Sequence, residues 1–300
     1  MIEGIWAAVL TPVTGDIFPD ADKAIDYYRA LLDNGCDGIN LLGTTGEAMS
    51  FAADARLRFM QEIARSGLPL DRVMAGTGAA SLADAARLTS AALDLGFAAA
   101  LVMPPFFFRD AGDDGILRFF DALFARVPHA GGRVMLYNFP AMSGITFRPE
   151  LVDRLAENFA EAIAGLKDSS NDRALQREIL ARRPGLAVLP GSEAYLPEAI
   201  AYGCSGSISG SVALWPSLAR SVYRAALEAS RDPSGKGLLL ESRRLAERRS
   251  VLDGMPFIPA VRYCVAQLTG DDSWERAMPP LVPLTRDDRT ILDRRLAALS

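Results

Sequence analysis

Short apolar, β-prone runs recur along this chain at Ile5–Leu10, Gly38–Leu42, Val73–Gly76, Ala98–Met103, Arg133–Tyr137, Ile163–Lys167, Ala187–Pro190 and Gly206–Ile208. They are continuous stretches rather than polar/apolar alternations, which is the pattern of parallel strands covered on both faces. Between them lie segments with helical spacing of apolar positions, such as Asp20–Asn34, Phe51–Ser66, Ser81–Leu95, Gly115–Arg126 and Asp172–Arg182, several opened by an Asp or Ser able to cap a helix. Strand and helix therefore alternate. Eight such units over about 225 residues predict an α/β protein built as a closed (β/α)8 TIM barrel. After Trp215 the pattern changes to Ala-, Leu- and Arg-rich stretches with Pro and Gly breaks at 232–237, 253–259 and 279–283. This predicts a barrel domain over 1–225 followed by a helical extension over 226–300. A doubly wound sheet is the competing architecture, but it normally carries a nucleotide loop. Gly76-Thr77-Gly78 lacks a third glycine, and no GxxxxGK[ST] occurs.

Composition narrows the function classes. Half of the 300 residues are apolar and 23% are charged, which excludes a disordered tail or a collagen-like repeat. A net charge of −5 offers no general attraction for nucleic acid or anionic lipid, so neither is expected as a partner. Arg243, Arg244, Arg248 and Arg249 form a basic cluster, but Glu241 and Glu247 interleave with it, and the stretch reads as the solvated face of a helix. Cys36, Cys204 and Cys264 are odd in number and far apart, which argues against a disulfide framework or a thiolate zinc site and for a reducing cytoplasm. His129 is the single histidine and lies in a loop-like PHAGG stretch, against His-based triads and His-rich metal sites. The opening MIEGIWAAVLTP has no basic leader and only a short apolar run, so neither a signal peptide nor a membrane span is expected.

Barrel active sites are built where strands end, and several strand ends here carry polar groups. The second run ends in Gly43-Thr44-Thr45-Gly46-Glu47, the fifth in Tyr137-Asn138-Phe139-Pro140, and the sixth in Gly165-Leu166-Lys167-Asp168-Ser169-Ser170. Only Lys23, Lys167 and Lys236 are lysines among 32 basic residues, so surface charge is delegated to arginine and a lysine at a strand end is informative. In a low-dielectric barrel mouth, withdrawal from water favours the neutral amine, which arginine cannot supply. A neutral amine beside a carbonyl compound forms a Schiff base, an electron sink for making and breaking C–C bonds. The plainer alternative is a Lys167 paired with Asp168 or held at the solvent rim. Tyr137, on the adjacent edge, can donate and accept a proton near such an imine, or simply pack. Gly43–Glu47 offers hydroxyls and backbone N–H groups suited to a carboxylate, or equally a turn and helix cap. Gly206-Ser207-Ile208-Ser209-Gly210 puts Ile208 where a nucleophile elbow needs Ser, against a hydrolase.

Together, Thr11-Pro12, GTTGE, YNxP, GxKDSS, Gly191 and the glycine-rich 203–210 segment resemble the dihydrodipicolinate synthase/N-acetylneuraminate lyase family over nearly the whole chain. The resemblance implies a homotetrameric (β/α)8 barrel with a C-terminal helical extension. It also implies action on pyruvate or a pyruvate-yielding 2-oxo acid without metal or organic cofactor. On this likeness Lys167 is the imine-forming lysine, Tyr137 the proton-shuttling tyrosine, Thr44 a proton relay and Thr45 the holder of the substrate carboxylate. Gly43, within GTTGE, and Ser169, within GxKDSS, are expected as substrate-binding positions, Ile208 presents its carbonyl to the imine site, and Gly191 lines the pocket.

The departures bear on substrate. Met142 stands where the synthases generally carry an arginine for the carboxylate of aspartate semialdehyde. The fourth-strand loop reads Pro104-Pro105-Phe106-Phe107-Phe108, with no phenol to lend across a subunit interface. Ser192-Glu193-Ala194 holds one acid where the sialic acid lyases show an acidic pair, and Gly210 falls where they tend to have a hydroxyl. The expected function is thus a Schiff-base pyruvate aldolase or lyase. The alternatives are 4-hydroxy-tetrahydrodipicolinate synthase, a 2-keto-3-deoxy sugar acid dehydratase, and a non-catalytic 2-oxo acid binding protein. The Phe106–Phe108 run reads as interface packing ahead of an aromatic pocket.

Overall fold

The computed structural model describes residues 2–231 and 237–299. Eight parallel strands, β1 (Gly4–Ala8), β2 (Gly38–Leu41), β3 (Val73–Gly76), β4 (Ala99–Val102), β5 (Val134–Asn138), β6 (Ile163–Asp168), β7 (Ala187–Pro190) and β8 (Gly206–Ser209), pair in the order β7-β6-β5-β4-β3-β2-β1-β8. The remaining seam, between β7 and β8, is stitched by Ser205 N–H donating to Val188 O at 2.9 Å and by Ser207 Oγ donating to Pro190 O at 3.0 Å. This is the (β/α)8 barrel that the alternating pattern predicts, with strand ends displaced by a residue or two.

The helices α1 (Ala21–Asp33), α2 (Ala53–Arg65), α3 (Leu82–Asp94), α4 (Gly112–Phe124), α5 (Pro140–Ser143), α6 (Pro149–Asn158), α7 (Arg173–Arg182), α8 (Leu196–Ala201) and α9 (Pro216–Arg231) lie between and after the strands. Three start at predicted caps: Asp20, Ser81 and Asp172 each accept a hydrogen bond from the backbone N–H three positions on. Outward-facing strand residues such as Ile39, Val102 and Leu136 pack with the helices into the main core. Inward-facing residues, among them Trp6, Met74, Leu101, Met135 and Ile208, fill the barrel interior. Trp6 occupies the space that a side chain at Gly38 would need, since a Cβ there would sit 2.4 Å from the indole. The interior is thus a packed core, not a pore.

Beyond α9 come α10 (Gly237–Ser250), α11 (Phe257–Thr269) and α12 (Arg286–Ala297). Of the predicted break at 232–237, residues 232–236 lie outside the described residues, as does Lys236. The breaks at 253–259 and 279–283 fall at the turn before α11, which runs on into its first residues, and in the loop before α12. α11 carries Val261 and Val265 into a separate cluster with Leu10, Leu214 and Leu252, so the extension is packed onto the end of the barrel where β1 exits. A boundary at 225/226 falls inside α9, whose Val222 and Ala226 belong to the barrel's outer core. We propose that the division lies at the end of that helix.

Candidate active site

Two strands deliver the central groups. β5 and β6 run in parallel register with Tyr137 beside Lys167 and Asn138 beside Asp168. Because side chains alternate across a strand, Tyr137 and Lys167 share the interior face, whereas Asn138 and Asp168 share the outer one. The Lys167 Nζ lies 4.3 Å from the centroid of the Tyr137 ring, and the residue is 3% exposed. Asp168 is not its partner. That carboxylate instead accepts from Asn138 Nδ2 at 2.6 Å, Gln176 Nε2 at 2.6 Å and Ser170 Oγ at 2.9 Å. Burial pushes the Asp168 carboxyl above the ordinary range, and these three hydrogen bonds oppose the shift. Gln176 is held in turn by the Tyr195 and Tyr202 hydroxyls, and Asn138 Oδ1 accepts from Phe147 N–H at 2.9 Å, so the outer face locks β5 against β6. Among the described residues Lys167 makes no ion pair. Both plainer readings of this lysine, an Asp168 pairing and a solvent-rim position, are therefore set aside.

The loop after β2 brings the hydroxyls. Thr44 Oγ1 lies 3.3 Å from the Tyr137 hydroxyl, and Thr45 is 7% exposed. The loop is tightly wound, with Leu42 and Glu47 both at positive φ and Glu47 N–H donating to Thr44 O at 3.0 Å. It also leans on its neighbour: a Cβ at Gly76 would lie 2.1 Å from the Leu42 carbonyl, so only glycine allows β3 to approach this turn.

A buried ion pair fixes the loop from the far side. Arg262, fully buried on α11, donates from Nε to Glu47 Oε1 at 2.6 Å, from Nη1 to Trp274 O at 3.0 Å and from Nη2 to Thr11 O at 2.8 Å. Glu47 Oε2 accepts from Met278 N–H at 2.7 Å. One guanidinium thus ties the β1 exit, the Thr44–Thr45 loop and the C-terminal extension together.

These groups open on a cavity of about 350 Å3 that is lined by Thr44, Thr45, Tyr137, Lys167, Ser169 and Gly191, with Ile208 and Met142 also on its wall. An adjoining apolar chamber of about 290 Å3 shares Thr44, Tyr137 and Met142 with it and adds Gly43, Leu101, Met103 and Phe106. Every site residue expected from sequence therefore lies at one of two contiguous chambers. Ser169 and Gly191 touch across the β6 and β7 ends, where a Cβ on Gly191 would lie 2.2 Å from Ser169 Oγ. Met142, half exposed, is on the rim. His129 pairs with Asp94 on the surface at 3.0 Å and takes no part. Among the described residues no cluster of His, Cys, Asp or Glu could hold a metal, and no helix is long and apolar enough to cross a membrane.

The model of the dihydrodipicolinate synthetase family matches residues 1–299. The chain belongs to that family. It is 35% identical over 292 residues to an uncharacterized DapA-like lyase of Chloroflexus aurantiacus, covering 95% of this chain and 93% of the relative. Among solved structures it is similar to dihydrodipicolinate synthase of Agrobacterium tumefaciens, at 30% identity, a TM-score of 0.89 and 99% coverage of both chains. It is also similar to the Escherichia coli prophage protein YagE in complex with pyruvate, at 25% identity and a TM-score of 0.87, covering 100% of this chain and 99% of the other. This family member is thus an aldolase or lyase of the Schiff-base, pyruvate-dependent kind.

Sequence reading missed what the extension contributes. Phe257 and Ile258 at the start of α11, Leu281, and Arg249 near the end of α10 all line the lysine cavity. The expectation that Arg249 belongs to a solvated face is corrected here: its side chain is 22% exposed and faces the site. The Pro256-Phe257-Ile258-Pro259 string after Gly254 marks a turn in sequence, and nothing local in it tells that the turn lands on a barrel mouth.

Proposed function

We propose that this chain makes or cleaves a carbon–carbon bond between pyruvate and an aldehyde through an imine on Lys167. The observation that carries this reading is a buried amine 4.3 Å from the Tyr137 ring, with Thr44 Oγ1 3.3 Å from the same phenol, all lining one cavity. The amine adds to the C2 carbonyl, and the carbinolamine loses water to leave an iminium. Tyr137 takes and returns the protons these steps move, with Thr44 as its relay, while Thr45 and the loop N–H groups hold the carboxylate. The iminium acidifies C3. Loss of a C3 proton gives an enamine that attacks the aldehyde carbon, and cleavage is the same sequence reversed. Ser169, Gly191, Ile208, Gly43 and Met142 shape the space around this chemistry.

Dehydration of a 2-keto-3-deoxy sugar acid starts from the same imine and shares every residue named. Met142 at the rim and a fourth-strand loop without tyrosine disfavour 4-hydroxy-tetrahydrodipicolinate synthesis from aspartate semialdehyde. The exposed pair Phe107 and Phe108, in edge-to-face contact at 5.2 Å, supports assembly as a homotetramer that covers them. Three free, buried cysteines suit a cytoplasmic protein. To test the shared step, the protein is incubated with pyruvate, reduced with borohydride and mapped by mass spectrometry. The expected result is one adduct, on Lys167, that is lost in Lys167→Ala. Absence of the adduct, or full activity in that variant, defeats the imine reading, whereas reversible pyruvate binding without turnover of any aldehyde or sugar acid selects the non-catalytic binder.

A further inference from the structure

We propose that Arg249 is a specificity-determining residue that binds a carboxylate on the aldehyde partner, so that the second substrate of this enzyme is itself an acid. The proposal rests on the reading of Lys167 as the site of pyruvate imine formation. Among the described residues, Lys167 and Arg249 are the only charged side chains that line the cavity, and no carboxylate lines it. Lys167 is committed to the keto carbon, and the Thr44–Thr45 loop to the pyruvate carboxylate. Arg249 therefore remains as a cation without an assigned anion, and a cavity of about 350 Å3 leaves room beyond pyruvate for a second reactant.

The guanidinium is held in place rather than free to sweep. It lies over the Phe257 ring, 5.4 Å from the centroid, which orients its plane. Phe257 in turn reaches the catalytic loop: a Cβ on Gly210 would meet Phe257 Cε1 at 2.8 Å and Thr45 Oγ1 at 2.9 Å. The ring that carries the cation and the hydroxyl assigned to the pyruvate carboxylate thus both border Gly210. Arg249 Nη1 donates to Asp253 Oδ1 at 2.9 Å. Its Nε and Nη2 donors have no partner among the described residues. The Asp253 side chain is 68% exposed and forms no part of the cavity wall, so it steadies the arginine from the solvent side without filling the site. The extension's other contributions to the wall, Phe257, Ile258, Pro259 and Leu281, are apolar, which lowers the local dielectric and strengthens the attraction of the cation for an anion. A planar fork with donors to spare matches a carboxylate. Met142 on the β5 side supplies no charge, so the cation that selects the partner comes from the extension instead.

The test uses the full-length protein with pyruvate and two pairs of acceptors, succinic semialdehyde against butanal and glutaric semialdehyde against pentanal. Each pair matches chain length and differs by one carboxylate. The readout is the ratio of kcat/KM for the acidic over the neutral acceptor. The wild type is expected to favour the acids, and Arg249→Gln to lower the ratio about 10- to 100-fold through KM, as loss of a charge-assisted pair does. Arg249→Lys is expected to restore part of it, and Asp253→Asn, which frees another donor, to raise it. Borohydride trapping of pyruvate on Lys167 is followed in every variant. Should Arg249→Gln not fold, the rise in Asp253→Asn decides. A ratio near one in the wild type, an unmoved ratio in Arg249→Gln, or a fall in Asp253→Asn with normal trapping overturns the Arg249 assignment alone. Absence of trapping in the wild type overturns the imine reading, and this assignment falls with it.

Discussion

Replacing Arg262 with methionine isolates what the extension does for the active-site loop. The substitution roughly preserves side-chain length and removes the charge at a fully buried position. Among the described residues Glu47 then keeps a single partner, the Met278 N–H at 2.7 Å, and the carbonyls of Thr11 and Trp274 lose the donors that now reach them at 2.8 and 3.0 Å. Breaking a buried pair from one side costs about 3–5 kcal/mol, because an uncompensated charge is left behind. At roughly 2–4 °C per kcal/mol for a large domain, the melting temperature is expected to fall by about 6–20 °C. Removing both charges, with Glu47→Leu added, eliminates the stranded carboxylate. It adds only the Met278 N–H to the backbone groups already orphaned, at about 1–3 kcal/mol, in place of a stranded charge that costs more, so the double variant is expected to be more stable than Arg262→Met alone. Thermal and urea denaturation of the four proteins in the cycle measure this directly. Because Thr44 and Thr45 immediately precede Gly46 and Glu47, the pyruvate KM is expected to rise alongside. A melting point for Arg262→Met within about 2 °C of wild type, or a double variant equal to the sum of the singles, refutes the reasoning.

Two further outcomes follow from the same geometry. Tyr137→Phe keeps the ring over Lys167 and deletes the hydroxyl that faces Thr44, so turnover is expected to fall roughly 10²–10⁴-fold while the reduced pyruvate adduct still accumulates, more slowly; intact turnover excludes the phenol as proton shuttle. Gln176→Leu removes one of the donors that offset the burial of Asp168, so the folded carboxyl moves still higher. A group whose folded state holds its proton more tightly than the unfolded chain loses stability as pH rises from the ordinary carboxylate range through the raised value. Urea melts between pH 4 and 7 are expected to show a steeper decline with rising pH for the variant than for wild type, and parallel curves contradict the assignment.

The barrel was legible because parallel strands buried on both faces leave continuous apolar runs that few other arrangements produce. The Asp20, Ser81 and Asp172 caps were legible for a local reason, a side chain and a backbone N–H three positions apart. Lys167 and Tyr137 stood out because a strand end in a barrel fixes where a side chain points, and the register of β5 with β6 needed only to align them. What stayed hidden depends on contacts distant in sequence. The Glu47–Arg262 pair joins residues from opposite ends of the chain, and Arg249 sits in a basic run whose other members give no sign of turning inward. The alternative of a Lys167–Asp168 pair fails for a local reason: neighbours in a strand face opposite sides, so a pair adjacent in sequence is separated by the sheet itself.

The central claim, that Lys167 turns pyruvate into a C3 nucleophile, is tested most directly without any aldehyde. Pyruvate is placed with the enzyme in deuterium oxide and its methyl signal followed by proton NMR. Enzyme-dependent loss of that signal is expected for the wild type, with none above background for Lys167→Ala and a much slower loss for Tyr137→Phe. A methyl signal that persists at the uncatalysed rate with wild-type enzyme, or that disappears as fast with Lys167→Ala, contradicts the account.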